Sequence, residues 1–207
     1  MNRVLAIAGG TGSGKSTLAQ ALSVALGPQR VAVLPVDAYY HDLSHVPHEA
    51  REAVNFDHPD ALDLELLARH VVQLREGTSI ACPTYDFTTH CRLSQTQIIE
   101  PREWILVEGI LVAATAPLRA AYERLVFVDT PQELRWQRRL DRDQRERGRD
   151  RASIERFWVR AEDTFEEWGR AALQDADVVI DGSQTPSAMM KDLLARTNFD
   201  QRAVQSA

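Results

Sequence analysis

Residues Gly9-Gly10-Thr11-Gly12-Ser13-Gly14-Lys15-Ser16-Thr17 combine glycines with one ammonium and four hydroxyl groups. Glycines let a backbone turn its N–H groups toward one point and let anionic oxygens approach without Cβ atoms in the way. The spacing G-x-x-x-x-G-K-S is that of a phosphate-binding loop, in which the lysine reaches the β- and γ-phosphates and the serine hydroxyl ligates Mg2+. Lysine is otherwise almost absent: Lys15 and Lys191 stand against 22 arginines. An ammonium kept in such a chain serves where a compact point charge is needed and a planar guanidinium does not substitute.

Carboxylates come next. Asp37 and Glu108 each follow an apolar run, at Val36 and Val107. Beside a phosphate loop, Asp37 can ligate Mg2+ through water or take the proton from an attacking hydroxyl. Glu108 is placed to orient metal-bound water, and the bland reading of both is a turn or cap carboxylate. Asp57, in Asn55-Phe56-Asp57-His58-Pro59, offers only acceptors and so suits the paired hydroxyls of a sugar. Asp60 and Asp63 are expected to serve a helix start, and His58 to be structural. Tyr85, Phe87 and His90 lie within six residues. They can flank a flat base and read its edge, or simply pack a hairpin on its own core. Eight arginines run from Arg135 to Arg151. Arg135, Arg138, Arg142, Arg145 and Arg149 follow 3-4-3-4 spacing and share a helical face if the helix persists. Such a face can neutralise triphosphate charge, although interleaved acids also fit a solvated, salt-bridged helix. His41, His45 and His48 lack the partners that would complete a transition-metal set.

The elements that must position these groups follow from hydrophobic patterning. Continuous apolar runs at 4–8, 30–36, 104–107, 125–128 and 178–180 read as strands. Helical patterns occupy 16–26, 61–75, 116–122, 131–145, 153–173 and 186–197. Apolar strands alternating with helices imply a parallel α/β sheet covered on both faces, with ligands at the carboxyl ends of the strands. Residues 79–100 interrupt the alternation and read as a β-hairpin leaving the sheet. Thr130-Pro131-Gln132-Glu133 is expected to start a helix, with Thr130 as N-cap and Glu133 completing a capping box.

Composition bounds the rest. At 207 residues, with 44% hydrophobic and 26% charged residues, the chain reads as one globular domain, 1–207. The net charge of −6 argues against nucleic-acid binding. No apolar run approaches the ~20 residues of a membrane span. The run at 4–8 is too short for a secretory leader, and two isolated cysteines, Cys82 and Cys91, are expected as reduced thiols. A cytoplasmic protein is therefore expected, with no membrane partner.

Together these segments resemble the uridine kinase (uridine–cytidine kinase) family. The matching blocks are 9–17, 37–42, 55–63, 83–92, Glu108-Gly109-Ile110-Leu111, and the arginine block from Arg138 to Arg149, in order and with compatible spacing from about Val4 to Asp150. The resemblance implies a P-loop NTPase, nucleoside-kinase-like three-layer sandwich with a nucleoside-binding hairpin and an arginine-rich lid over 133–165. It implies transfer of the ATP γ-phosphoryl to the 5′-hydroxyl of uridine or cytidine, in pyrimidine salvage. Asp37 is then the general base, with Lys15 and Arg142 catalytic. Gly9, Gly10, Thr11, Gly12, Ser13, Gly14, Lys15, Ser16, Thr17 and Arg147 hold ATP, and Ser16, Asp37 and Glu108 surround Mg2+. Asp57 and Arg139 hold the ribose, while Tyr40, Tyr85, Phe87 and His90 form the base pocket and Arg149 closes over it. Histidine at His90 is similar to the version of the family that accepts both pyrimidines. The resemblance also implies a homo-tetramer.

Departures begin after Asp150. Phe157 stands where the family has a glutamine, the Lys/Arg-Pro pair of the lid is missing, and Asp181-Gly182-Ser183 replaces Pro-Arg-Gly after the last strand. Other readings weighed are another small-molecule kinase of the phosphoribulokinase group and a non-catalytic nucleotide-binding regulator. A signalling GTPase is opposed by the absence of an Asn-Lys-x-Asp motif around either lysine.

Overall fold

The computed structural model describes residues 1–51 and 53–197, with the side chain of Arg147 outside the description. The strands, numbered along the chain, are β1 (Arg3–Ala8), β2 (Val31–Pro35), β3 (Ile80–Asp86), β4 (Cys91–Ile99), β5 (Trp104–Glu108), β6 (Arg124–Asp129) and β7 (Val178–Asp181). The helices are α1 (Lys15–Leu26), α2 (His48–Arg51), α3 (Leu64–Arg75), α4 (Ala116–Ala121), α5 (Gln132–Arg147), α6 (Arg151–Thr164), α7 (Ala171–Gln174) and α8 (Pro186–Arg196). Five strands make one sheet in the order β2-β5-β1-β6-β7, parallel at every pairing, and β3 and β4 make an antiparallel hairpin apart from it.

Side chains alternate across the pleat, so the continuous apolar runs feed two cores. Val4, Ala6, Ile105, Val107, Leu125 and Phe127 point to the face covered by α3 and α4, where Leu67, Val71, Leu74 and Leu118 meet them. Leu5, Ile7, Trp104, Leu106, Val126 and Val128 point the other way, onto Leu18 and Leu22 of α1 and Met189 and Leu193 of α8. Both faces of β1 are thereby sealed, which fixes the loop that leaves it at the sheet's carboxyl edge.

Asp63 behaves as expected. It caps α3, its carboxylate accepting from Leu66 N at 3.0 Å, so that helix begins at Leu64 rather than Ala61. His58 is structural as well, its Nδ1 accepting from Asp60 N at 3.2 Å. The expected cap of α5 is different. Pro131 occupies the N-cap without a side-chain bond. Thr130 instead donates its hydroxyl to the Ser13 carbonyl at 2.9 Å. A buried loop carbonyl outcompetes the helix amide for that hydroxyl, because an unmet buried acceptor is costly.

The single helix expected over 153–173 is also divided. It runs as α6, then a π-helical turn (Phe165–Gly169), then α7. The wider turn swings Phe165 into the core, where its ring stacks near Phe127 at 6.3 Å. Gly169 makes room for it, since a Cβ there would sit 2.5 Å from the Phe165 ring.

Candidate active site

The loop between β1 and α1 presents backbone amides to the sheet's carboxyl edge. Gly14 caps α1 in the left-handed region (φ 98), no side chain caps the helix, and its first turn holds no acid. The first amides of α1 are therefore free to meet an anion. Gly12 (φ 73) is a glycine for a second reason: a Cβ there would collide with the Arg135 carbonyl oxygen.

Two cavities open on this loop. One is lined by Thr11, Lys15, Ser16, Asp37, Tyr40, Asp57, Tyr85, Phe87, His90, Glu108, Arg139, Arg142 and Arg149, together with Phe56, Ile110 and Phe157. The other is an open cleft lined by Gly12, Gly14, Lys15, Ser16, Thr17, Arg138, Arg142 and Glu146, with Gln184, Pro186 and Met189. Lys15, Ser16 and Arg142 belong to both. The structure thus brings together every expected base, ribose and metal residue. Gly9, Gly10 and Ser13, buried within the loop, line neither cavity. Arg147 was expected at ATP, and its side chain lies outside the described residues.

Electrostatics tighten where the cavities meet. Lys15 Nζ donates to the Gly10 carbonyl at 3.4 Å. Burial lowers the Lys15 pKa, and Glu108 and then Asp37 oppose that shift. Burial raises the Glu108 pKa, opposed chiefly by Lys15. Each charge is stabilised by its neighbours in place of water. Ser16 Oγ donates to Glu108 Oε2 at 3.0 Å, and Asp37 follows β2 in a 3-10 turn (Val36–Tyr39) on the same cavity wall. A hydroxyl and two carboxylates are the hard oxygen donors that suit Mg2+.

Asp57 and the hairpin are placed by identifiable bonds. Asn55 Nδ2 donates to Thr164 Oγ1 at 2.9 Å, and Asn55 Oδ1 accepts from Asp57 N at 3.2 Å, tying that loop to α6. Arg92 of β4 donates to the Tyr40 carbonyl at 3.1 Å and the Tyr39 carbonyl at 3.0 Å, bringing the hairpin against the Asp37 segment. The hairpin turn is closed by Asp86, which accepts from Thr88 N and Thr89 Oγ1, each at 2.8 Å. His90 leaves that turn at φ 55, a conformation unusual for a non-glycine residue.

The aromatic arrangement differs from the expected one. Tyr85 and Phe87 meet edge to face at 5.3 Å, too close for a base between them, since two stacking contacts span about 7 Å. With Tyr40, 5.1 Å from Tyr85, they form a wall. His90 stacks on Phe56 at 4.6 Å and 18°. The buried Tyr85 hydroxyl has no hydrogen-bond partner among the described residues, which suits a wall that meets a polar ligand.

The arginines separate into distinct tasks: Arg135, Arg138, Arg142 and Arg145 lie on α5 at the expected spacing, whereas Arg149 falls beyond its end. Arg135 is buried and pairs with Glu162 through two bonds of 2.6 and 2.7 Å, a structural clamp between α5 and α6. Arg138 donates to the Gly182 carbonyl at 2.9 Å and the Ser13 carbonyl at 3.3 Å. The helix stops at Arg147 because Gly148 takes the left-handed conformation (φ 61), and Arg149 returns to the cavity from the turn beyond. Its guanidinium lies over the Phe157 ring at 4.4 Å.

Four contributors were not singled out as site residues from the sequence. Phe56 and Ile110 carry no chemical signature. Asp143 is fully buried beside Arg139, Arg142 and Arg149, and only its i+4 relation to Arg139 signals it. Gly182 belongs with them: a Cβ there would clash with Thr130 Oγ1 and lie 2.6 Å from the Ser13 carbonyl, so the loop after β7 can approach the phosphate loop only as glycine.

Fold and site define a phosphate-loop kinase, with two cavities meeting at one lysine. The chain belongs to the Phosphoribulokinase / Uridine kinase family, whose model matches residues 4–187. It is 46% identical over 180 residues to uridine kinase of Chloroflexus aurantiacus, with 86% of each chain covered. It is 40% identical over 206 residues to uridine kinase of Geobacillus kaustophilus, with 97% of each covered. Among solved structures, phosphoribulokinase from Rhodobacter spheroides matches with a TM-score of 0.62 at 15% identity, over 89% of this chain and 73% of that one, a likeness of fold. Cys82 and Cys91 are free thiols, and among the described residues no helix is long and apolar enough to cross a membrane.

Proposed function

We propose that this protein transfers the γ-phosphoryl group of ATP to the 5′-hydroxyl of uridine or cytidine, giving ADP and the nucleoside monophosphate. The observation that carries the reading is the junction of the two cavities at Lys15, Ser16 and Arg142. A donor in one and an acceptor in the other would meet only there. The names of the relatives favour a nucleoside as acceptor.

In this reading Asp37 takes the proton of the 5′-hydroxyl as the O5′–Pγ bond forms and the bond from Pγ to the bridging β–γ oxygen breaks. Lys15 and the amides at the start of α1 hold the β- and γ-phosphates. Arg142 faces the charge that spreads over the transferred group. Ser16, Asp37 and Glu108 would hold Mg2+, partly through water, and the ion supplies charge neutralisation for the phosphates. Asp57 accepts from ribose hydroxyls and Arg139 donates to them. The wall of Tyr40, Tyr85 and Phe87 packs one face of the base, His90 meets its edge, and Arg149 closes the pocket from the Phe157 side.

Purified protein with Mg-ATP and a panel of nucleosides and sugar phosphates tests this directly. Uridine and cytidine are expected to gain phosphate and purine nucleosides to be poor acceptors. Efficient phosphorylation of a sugar phosphate or of adenosine overturns the assignment.

A further inference from the structure

The acceptor cavity gathers three guanidiniums, Arg139, Arg142 and Arg149, beside the Lys15 ammonium. Like charges so close repel, and long side chains lose rotamer entropy when ordered. Something must hold them. Asp143 is fully buried, and each of these three arginines lies against its carboxylate. Arg142 donates through Nε to Oδ1 at 2.8 Å. Arg139 Nε and Arg149 Nη1 each lie 3.5 Å from Oδ2. The main chain of Asp143 acts on the same group: its carbonyl accepts from Gly148 N and, at 3.2 Å, from Arg149 N. Asp143 therefore both ends α5 and turns Arg149 back toward the cavity.

We propose that Asp143 is the positioning residue of the lid, holding Arg139, Arg142 and Arg149 as one cluster that contacts donor and acceptor together. A buried ion cluster kept for stability alone is replaceable as a whole by well-packed apolar residues of similar volume at little cost. Here all three cationic partners line the cavity, so the carboxylate's orientation is spent on groups that meet ligands. The arrangement makes the nucleoside-side arginines and the phosphate-side arginine share one support, and loss of that support disorders both sides at once.

The inference rests on the phosphoryl-transfer reading for what the arginines contact, so binding and turnover are measured separately. A double-mutant cycle joins Asp143→Asn and Arg142→Gln, read by calorimetric binding of β,γ-imido-ATP with Mg2+ and by kcat and KM, with urea midpoints for all four proteins. Asp143→Asn alone is expected to weaken binding and kcat/KM by roughly ten- to hundredfold, the range for removing a group that orients a ligand-binding side chain. In the Arg142→Gln background it should change analogue binding by about twofold or less, the margin of error for such comparisons, while kcat/KM still falls because Arg139 and Arg149 lose the same support. The same large loss of analogue binding in both backgrounds, or no loss of binding in an otherwise wild-type protein, overturns the proposal. If Asp143→Asn does not fold, Asp143→Glu takes its place in the same cycle with the same criteria. A wild-type protein that binds the analogue yet phosphorylates no nucleoside removes the functional reading, while the binding cycle still decides the role of Asp143.

Discussion

Glu162→Gln removes one charge from the clamp that joins the two helices of the lid. Arg135 is only 4% exposed and donates twice to this carboxylate, at 2.6 and 2.7 Å, while Gln132 adds a third bond at 3.1 Å. With glutamine in place, a guanidinium stays buried facing a neutral amide. Breaking a buried pair in this way costs about 3–5 kcal/mol. A natural domain holds about 5–15 kcal/mol in total, so a large share of stability goes. For a chain of this length the loss corresponds to a fall in Tm of roughly 6–20 °C. Urea unfolding followed by circular dichroism measures it, with an unchanged m-value confirming that stability alone has moved. The double variant Arg135→Met/Glu162→Met supplies the contrast. Removing both charges leaves none uncompensated, so it should lie well above either single charge deletion. A Glu162→Gln midpoint equal to that of the wild type, or a double variant worse than both singles, would refute the claim that this arginine is structural.

Asp37→Asn should lower turnover by roughly 10²- to 10⁴-fold, the usual contribution of a general base, while β,γ-imido-ATP binding largely survives; retained turnover removes the base assignment. Lys15→Arg keeps the charge but should cost on the order of 10²-fold or more in kcat, because a fork-shaped guanidinium does not fit where an ammonium meets two phosphates. Near-normal kcat would contradict it. His70 donates to or accepts from the Tyr39 hydroxyl at 2.8 Å, and burial, followed by Arg69, lowers its pKa from 6.5. The unfolded chain therefore binds this proton more readily, so its contribution is complete above 6.5 and lost as pH falls below that value toward the folded pKa. Urea midpoints should drop between about pH 7.5 and about pH 5, and less steeply in His70→Gln; an equal slope would show that other groups carry the acid loss.

Much of this was legible in the sequence because it rests on local rules. Apolar runs without alternation foretell strands buried on both faces, and each of the five lies within two residues of its place in the sheet. The phosphate loop is legible for the same reason, since its strand, glycines and helix are contiguous. What escaped depends on partners far along the chain. Nothing near Arg135 says that Glu162, on the next helix, will capture it while Arg142 is left to the cavity. Thr130 has every local feature of a cap, yet its hydroxyl goes to Ser13, at the other end of the molecule's sequence. The π-helical turn at Phe165 answers to the shape of the core rather than to helix propensity. Asp143 looks like one more acid in a charged helix until its burial is known.

The most direct test of phosphoryl transfer uses wild-type protein, γ-labelled ATP with Mg2+, and two acceptors, uridine and 5′-deoxyuridine. Label should appear on the 5′-oxygen of uridine, with none transferred to the deoxy analogue. Label released only to water, or transferred equally to the analogue, would contradict the account that Asp37 and Lys15 direct the γ-phosphoryl group to a nucleoside 5′-hydroxyl.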